Sequence, residues 1–164
     1  MGILERPPGL AAGAVIVINF VQPAALPALV RGLAARGIIG LELWEWAMAK
    51  GGPDARPGEK CQAIRPRRSG APAPVGLDGA PLELWWKAPA PCRRLLARVG
   101  CQSLGPVTLT RRPEGGPPQA VIGDGVEIDP AELAALDGFA TVHDLEAAFV
   151  PNPGDTFEGW LIRW

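Results

Sequence analysis

The chain has 164 residues, of which 48% are hydrophobic, and its net charge is −1. This length and composition fit one domain with a core of its own and argue against a chain that is disordered throughout. The 21 glycines and 19 prolines favour short elements joined by turns over a helical bundle.

The N-terminal part of the chain predicts a strand followed by a helix. We interpret residues 1–13 as a flexible arm. The first 20 residues are not typical of a signal peptide, because they lack a basic start followed by a long apolar stretch. The β-branched run 14–20 predicts a buried strand. Residues 22–37 space apolar side chains as in a helix that begins at Pro23 and ends at Gly37.

The next segment, residues 38–52, is ambiguous. The alternation over residues 41–46 suits a strand, whereas residues 47–50 suit a helical turn. In a strand, Trp44 and Trp46 would share a face, and an exposed pair of tryptophans would mark a site for a protein partner.

The central part predicts short strands separated by loops. Residues 61–66 are a short strand or turn, 67–81 a flexible link and 82–87 a strand. Residues 94–111 predict a pair of strands or one bent strand, with Gly100 and Gly105-Pro106 as bulge or turn points.

The C-terminal part carries the clearest local signals. Residues 119–129 predict a tight hairpin on two glycines, and Asp129 precedes a proline as the N-cap of a helix. Thr141 and Asp144 have the spacing of a capping box, and residues 156–164 predict a closing strand. Five to seven strands with two or three helices predict an α+β domain built around a small barrel or curled sheet.

The cysteines and the histidine argue against a metal centre. Cys61, Cys92 and Cys101 are odd in number and form no CxxC pair, and His143 is the single histidine. Unpaired cysteines suit a reducing compartment, and no stretch is apolar enough to span a membrane. We therefore expect a cytoplasmic protein with no metal, no cofactor and no membrane partner.

Charge divides the chain into two parts. Residues 56–112 carry eleven Lys and Arg against three acids, a net +8. Residues 113–164 carry ten acids against Arg163, a net −9. The division indicates a face that attracts anions, or two halves that neutralise each other when they fold together.

Several segments in order resemble the ASCH family, a branch of the PUA-like β-barrel superfamily. The segments are INF with a following helix, GEKCQAIRPRR, LELWWKAPAPCRRLLARVGCQSLGPVTL, DGFATVHDLEAAF and FEGWLIRW. The family motif Gly-x-Lys-x-x-Thr-x-Arg is matched by Gly58, Lys60 and Arg65. The resemblance covers residues 14–164, with an insertion near 38–56, and is closest to compact bacterial and phage members. It implies a PUA-like curled β-barrel of five to seven strands with two or three flanking helices.

The chain departs from the family at the catalytic positions. Members that hydrolyse acylated pyrimidine nucleosides use a Lys-Thr-Glu triad, and Ala63 occupies the threonine position here. No acid lies in the strand LLARVGCQSLG, where the resemblance places the glutamate. Cys61 is the candidate substitute nucleophile, but Lys60 would point to the other side of an extended segment.

The candidate nucleic-acid-binding residues combine cations with an aromatic ring. They are Lys60, Arg65, Arg67, Arg68, Arg93, Arg94 and Trp86. The arginine fork suits phosphate, and an exposed tryptophan can stack on a base. Because neighbours on a strand face opposite sides, one of Trp85 and Trp86 should enter the core.

Three functions follow as hypotheses. The first is binding of RNA or a modified nucleotide through a basic cleft centred on Lys60 and Arg65. The second is hydrolysis of N-acylated cytidine-type nucleosides or of RNA, with Lys60 as the surviving catalytic group. The third is a protein-partner module that uses Trp44 and Trp46 of the insertion.

Overall fold

A computed structural model of the chain describes residues 15–67, 77–87, 93–123 and 125–164. These residues form a mixed α+β fold. The strands are β1 (Ile16–Phe20), β2 (Gln62–Pro66), β3 (Pro81–Lys87), β4 (Arg93–Gly100), β5 (Ser103–Thr110), β6 (Gln119–Ile122), β7 (Val126–Ile128) and β8 (Thr156–Arg163). The helices are α1 (Leu26–Ala35), α2 (Leu41–Gly51), α3 (Pro130–Leu136) and α4 (Val142–Phe149), with a 3-10 turn at Pro23–Ala25.

The strands form two sheets. The smaller has the order β1-β3-β4, in which β1 runs parallel to β3 and β3 antiparallel to β4. The larger has the order β2-β8-β5-β6-β7 and is antiparallel throughout. In the part of the chain that the structure describes, the two sheets do not close into one barrel, so β1 and β2 are both edge strands.

Two apolar clusters form the core. One packs helix α1 through Leu29 and Leu33 against the inner face of the small sheet, including Leu84 and Trp86. The other packs α3 and α4 against the large sheet; its fully buried leucines are Leu109, Leu133 and Leu145. The first cluster also includes Ala63 and Ile162 of the large sheet, so apolar packing joins the two sheets although their strands do not pair.

The ambiguous segment 38–52 is helical. Helix α2 places Trp44 and Trp46 two positions apart, a spacing at which side chains do not face the same way. The strand alternative over 41–46 is therefore wrong, and so is the shared face that it implied. Trp46 instead meets the Trp86 ring edge-on, with centroids 6.3 Å apart.

The segment 94–111 forms two strands, but they do not pair with each other. Strand β4 belongs to the small sheet and β5 to the large one, so the chain changes sheets at Cys101 and Gln102. Gly105-Pro106 lies inside β5 and makes no turn.

The C-terminal predictions are confirmed. Strands β6 and β7 form the hairpin, and the Asp129 carboxylate accepts a hydrogen bond from the Ala131 N–H at 2.9 Å. Thr141 and Asp144 form the capping box of α4. The described residues form eight strands and four α-helices, more than the five to seven strands and two or three helices expected.

Some predictions fall outside the described residues. They are the N-terminal arm 1–13, most of the link 67–81, Arg68, Cys92 and the central residue of the hairpin turn. Within the described ranges, no helix has the length and apolar character needed to cross a membrane.

Candidate functional site

Backbone contacts fix the position of Lys60 ahead of β2. Its N–H donates to the Ala28 carbonyl of α1 at 2.8 Å, and Lys60 forms an isolated antiparallel bridge with Asp137 at the end of α3. Gly32 makes the approach of α1 feasible, because a methyl group added there would collide with the Lys60 carbonyl. Two segments that are far apart in sequence are thus held side by side.

This bridge buries an ion pair. Lys60 Nζ lies 2.5 Å from Asp137 Oδ1 and 3.3 Å from the Asp137 carbonyl oxygen. The two residues are only 3% and 2% exposed. Burial lowers the pKa of Lys60 to about 8, although the Asp137 carboxylate opposes the shift. Lys60 can therefore change its protonation state near neutral pH.

Arg56 holds the second oxygen of the same carboxylate. Its Nη1 lies 3.3 Å from Asp137 Oδ2, and its Nη2 donates to Gln22 Oε1 at 3.1 Å. The guanidinium also stacks on Phe139, 3.9 Å from the ring centroid. Burial lowers the pKa of Arg56, and Asp137 opposes the shift. The side chain is thus fixed on three sides, which orients Asp137 toward Lys60.

Arg65 joins the two sheets across their edges. From β2 it donates to the Asn19 carbonyl of β1 at 2.9 Å, and its guanidinium lies 5.2 Å from the Phe20 ring centroid. Burial lowers the pKa of Arg65, again opposed by Asp137. Among the described residues Arg65 makes no ion pair, so most of its five N–H donors are available to a ligand.

These side chains share one cleft between β1, β2 and the ends of α3 and α4. Its volume is about 210 Å³. The charged lining residues are Arg56, Lys60, Arg65 and Asp137, so three cations face one carboxylate and the net charge is +2. The convergence of Lys60 and Arg65 on a common hollow, which the basic-cleft hypothesis requires, is present.

Cys61 lies in a different cleft from Lys60. Its own cleft has a volume of about 360 Å³ and includes Arg36 and Leu136. Burial raises the pKa of the Cys61 thiol, which disfavours the thiolate. The two neighbours thus line different clefts, as expected of an extended segment, and the nearby positive charges, Lys60 included, do not offset the effect of burial on the Cys61 pKa.

The prediction that Trp86 stacks on a base is wrong. Trp86 is 3% exposed and belongs to the core cluster under the small sheet. Trp85 is the partly exposed member of the pair, and Arg93 covers its ring at 4.3 Å from the centroid. Alternation along β3 decides which of the two enters the core.

Of the remaining predicted cations, the three that the structure describes, Arg67, Arg93 and Arg94, do not line the cleft. Arg94 pairs with Glu42 at 3.4 Å and stacks on Trp46 at 4.8 Å, on the side of α2. Arg67 follows β2 on the surface, with its guanidinium 5.9 Å from the Trp160 centroid. The predicted cluster is therefore at least two separate groups.

The sequence reasoning missed Asp137 and Arg56. An acid was sought in the strand LLARVGCQSLG, whereas Asp137 lies in the segment DGFATVHDLEAAF, directly after α3. The opposite charges of the two halves were the available signal, since Arg56–Asp137, Lys60–Asp137 and Arg111–Glu146 all join the basic half to the acidic half. Charge neutralisation between the halves and a cationic cleft therefore coexist.

No group of three or more potential metal ligands occurs among His, Cys, Asp and Glu within the described ranges. In comparisons with known proteins, the chain matches no family model, no curated protein and no solved structure. The function is therefore argued from the cleft itself.

Proposed function

We propose that the cleft binds RNA or a modified nucleotide through an anionic group. The observation that carries the proposal is a small cleft lined by three cations, of which Asp137 pairs with Lys60 and Arg56 while Arg65 makes no ion pair among the described residues. The Asp137 carboxylate accepts hydrogen bonds from Lys60 and Arg56. Arg65 uses one N–H on the Asn19 carbonyl, and its other N–H groups can donate to a ligand. A planar guanidinium with available donors suits a phosphate or carboxylate oxygen pair.

The size of the cleft limits what it can hold. A volume of about 210 Å³ is small beside the roughly 300–1,000 Å³ of clefts for drug-sized ligands. An RNA would therefore present a single nucleotide turned out of its stack. Unstacking a base costs a few kcal/mol, and the cost is smallest when the RNA is already single-stranded. Arg67 lies one residue beyond β2 and is exposed, and in this proposal it contacts the neighbouring phosphate.

The fold is compatible with the same proposal. We propose that this cytoplasmic, compact phage-type protein is a PUA-like domain of the ASCH type whose curled sheet is open between β1 and β2. The support is the order of the elements and the motif residues Gly58, Lys60 and Arg65, two of which line the cleft.

A salt titration tests the binding proposal. Single-stranded RNA is titrated against wild type, Arg65→Ala and Arg112→Ala at two salt concentrations. Arg65→Ala should weaken binding and reduce the slope of log K against log salt by about 1. Arg112 is exposed and does not line the cleft, so Arg112→Ala controls for the loss of one charge. Equal effects of the two substitutions, or no binding at low salt, would contradict the proposal.

A second candidate function is hydrolysis of an N-acylated cytidine-type nucleoside or of RNA. It is favoured by the 2.5 Å contact between Lys60 and Asp137 together with the lowered pKa of Lys60. General bases work best when their pKa lies near the working pH. Ala63 is fully buried and does not line the cleft, so no hydroxyl nucleophile is present at that position.

For an acylated amine, water would therefore be the nucleophile. Neutral Lys60 takes a proton from water as the oxygen adds to the amide carbon, and Arg65 stabilises the resulting oxyanion. Collapse breaks the C–N bond, and the leaving amine takes its proton from the Lys60 ammonium. Asp137 orients Lys60 throughout.

The two functions have opposite pH dependences. Anion binding weakens as pH rises through about 8, because loss of the Lys60 proton removes one positive charge from the cleft, whereas hydrolysis by the neutral amine accelerates over the same range. Incubation with N-acetylcytidine and with labelled RNA from pH 6 to 9, for wild type and Lys60→Ala, separates them. Turnover that rises with pH and disappears in Lys60→Ala would make hydrolysis the preferred function. No turnover, with RNA binding intact, would rule out hydrolysis and leave binding as the function.

A further inference from the structure

Asn19 of β1 carries a hydrogen-bond acceptor without a partner. Its side-chain Oδ1 is buried, and no donor among the described residues reaches it. Most buried polar groups are hydrogen-bonded, and an unmade bond is unfavourable, so an exception calls for a specific explanation. Asparagine is also disfavoured in strands, yet here it lies between the buried residues Ile18 and Phe20.

The cations around Asn19 donate elsewhere. Lys60 donates to Asp137, Arg56 donates to Asp137 and Gln22, and Arg65 donates to the backbone carbonyl of Asn19 rather than to its side chain. Asn19 lines the same cleft as these groups. The cleft thus contains strong donors for an anion and, on the β1 wall, one acceptor without a donor.

We infer that Asn19 determines base specificity: its side-chain oxygen accepts a hydrogen bond from the exocyclic amine of the bound base. This inference rests on the proposed nucleotide-binding function. The terminal torsion of asparagine is soft, so a donor that enters the cleft can draw the oxygen toward it. Arg65 holds the Asn19 backbone in place, which keeps the side chain at a fixed distance from the anion-binding guanidinium.

The ligand class follows from these two fixed points. It carries an anionic group for Arg65 and an amine-bearing heterocycle for Asn19, as in a cytosine or adenine nucleotide. A site built to bond an N–H rejects an analogue that lacks it, because the acceptor is again left without a partner.

The test compares two ligands that differ only in the amine. Cytidine 5′-monophosphate and its pyrimidin-2-one analogue, in which hydrogen replaces the amine, are titrated by calorimetry. Wild type should bind the cytidine ligand about tenfold more tightly, the ratio expected for one hydrogen bond. Asn19→Leu should reduce the ratio of the two affinities to about one, because it weakens binding of the cytidine ligand and leaves binding of the analogue unchanged.

Two further variants control the result. Asn19→Asp keeps an acceptor oxygen and should keep the preference, and Gln102→Leu removes an amide at an exposed position outside the cleft and should change nothing. Equal binding of both ligands by wild type, or equal weakening of both in Asn19→Leu, would overturn the role of Asn19 while nucleotide binding stands. Binding of neither ligand by folded wild type would overturn the proposed function and this inference with it.

Discussion

The cations around Lys60 and those of strand β4 both belong to the basic part of the sequence, residues 56–112, but they differ in burial and in their partners. Lys60 is buried and Arg56 partly buried against Asp137, whereas the Arg98 side chain is 73% exposed and pairs with Glu83. A buried charge must be compensated, and a solvated one need not be. The comparison shows that a run of basic residues does not by itself identify which cations are buried. The buried cation is the one that pairs with a buried carboxylate.

The largest effect should come from Asp137. Asp137→Ala leaves the buried Lys60 and the partly buried Arg56 without their counter-charge, which we expect to reduce the free energy of unfolding by about 3–5 kcal/mol. Urea denaturation measures the loss. The surface counterpart, Glu83→Gln, should leave the urea midpoint close to that of wild type; a comparable loss in both variants would remove the distinction between the two regions.

The titration of Lys60 should be visible in the pH dependence of stability. Because the folded-state pKa of about 8 lies below the unfolded value, the unfolded chain binds more protons between about pH 8 and 10.5. Stability attributable to Lys60 therefore rises over that interval, by up to about 3 kcal/mol, and is constant below it.

The difference between wild type and Lys60→Met in urea denaturation, from pH 7 to 10.5, isolates this contribution. The chain has no tyrosine, so no phenol titrates in the same interval. A difference that is flat with pH would show that Lys60 has an ordinary pKa and is solvated like the β4 cations.

The approach of α1 to Lys60 should be sensitive to one methyl group. Gly32→Ala places a Cβ against the Lys60 carbonyl, and we expect a loss of about 1–3 kcal/mol from the forced shift. Gly105→Ala is the matched control, since a Cβ there meets no atom within 4 Å. Equal urea midpoints for the two variants would show that the loop before β2 adjusts without strain.

The smallest effect should come from the surface pair itself. Arg98→Ala removes a largely solvated guanidinium, and its urea midpoint should be indistinguishable from that of wild type. RNA binding should also be unchanged, because Arg98 does not line the cleft. A marked loss of RNA affinity would instead make the outer face of the small sheet part of the binding surface.

Local signals in the sequence were sufficient for the elements that depend on local chemistry. The Asp129 cap, the Thr141 capping box and the hairpin of β6 and β7 follow from side-chain-to-backbone bonds over a few residues. Helix α2 could not be decided in this way, because the alternation of Trp44-Glu45-Trp46 also fits a strand. In the helix, Trp46 contacts Trp86, which lies forty positions away in the sequence. A pattern of neighbouring residues cannot reveal such a contact.

The site was half predictable for the same reason. The short motif identified Lys60 and Arg65, and an alternating strand placed Cys61 on the other side. Asp137 was not found, because only the bridge between the loop before β2 and the end of α3 brings it to Lys60. Lys60 and Arg65 are close in sequence and could be identified together. Their neighbour Asp137 is distant in sequence and is recognised only from the folded structure.

The bond from Arg65 to the Asn19 carbonyl has a mechanical consequence. At the gap between β1 and β2 the described residues form no strand ladder, and this single side-chain bond spans it. Widening the gap therefore breaks one hydrogen bond rather than a cooperative row of them. The bond uses one N–H of the guanidinium, so a ligand that binds the remaining donors can occupy the cleft while Arg65 still joins the two strands.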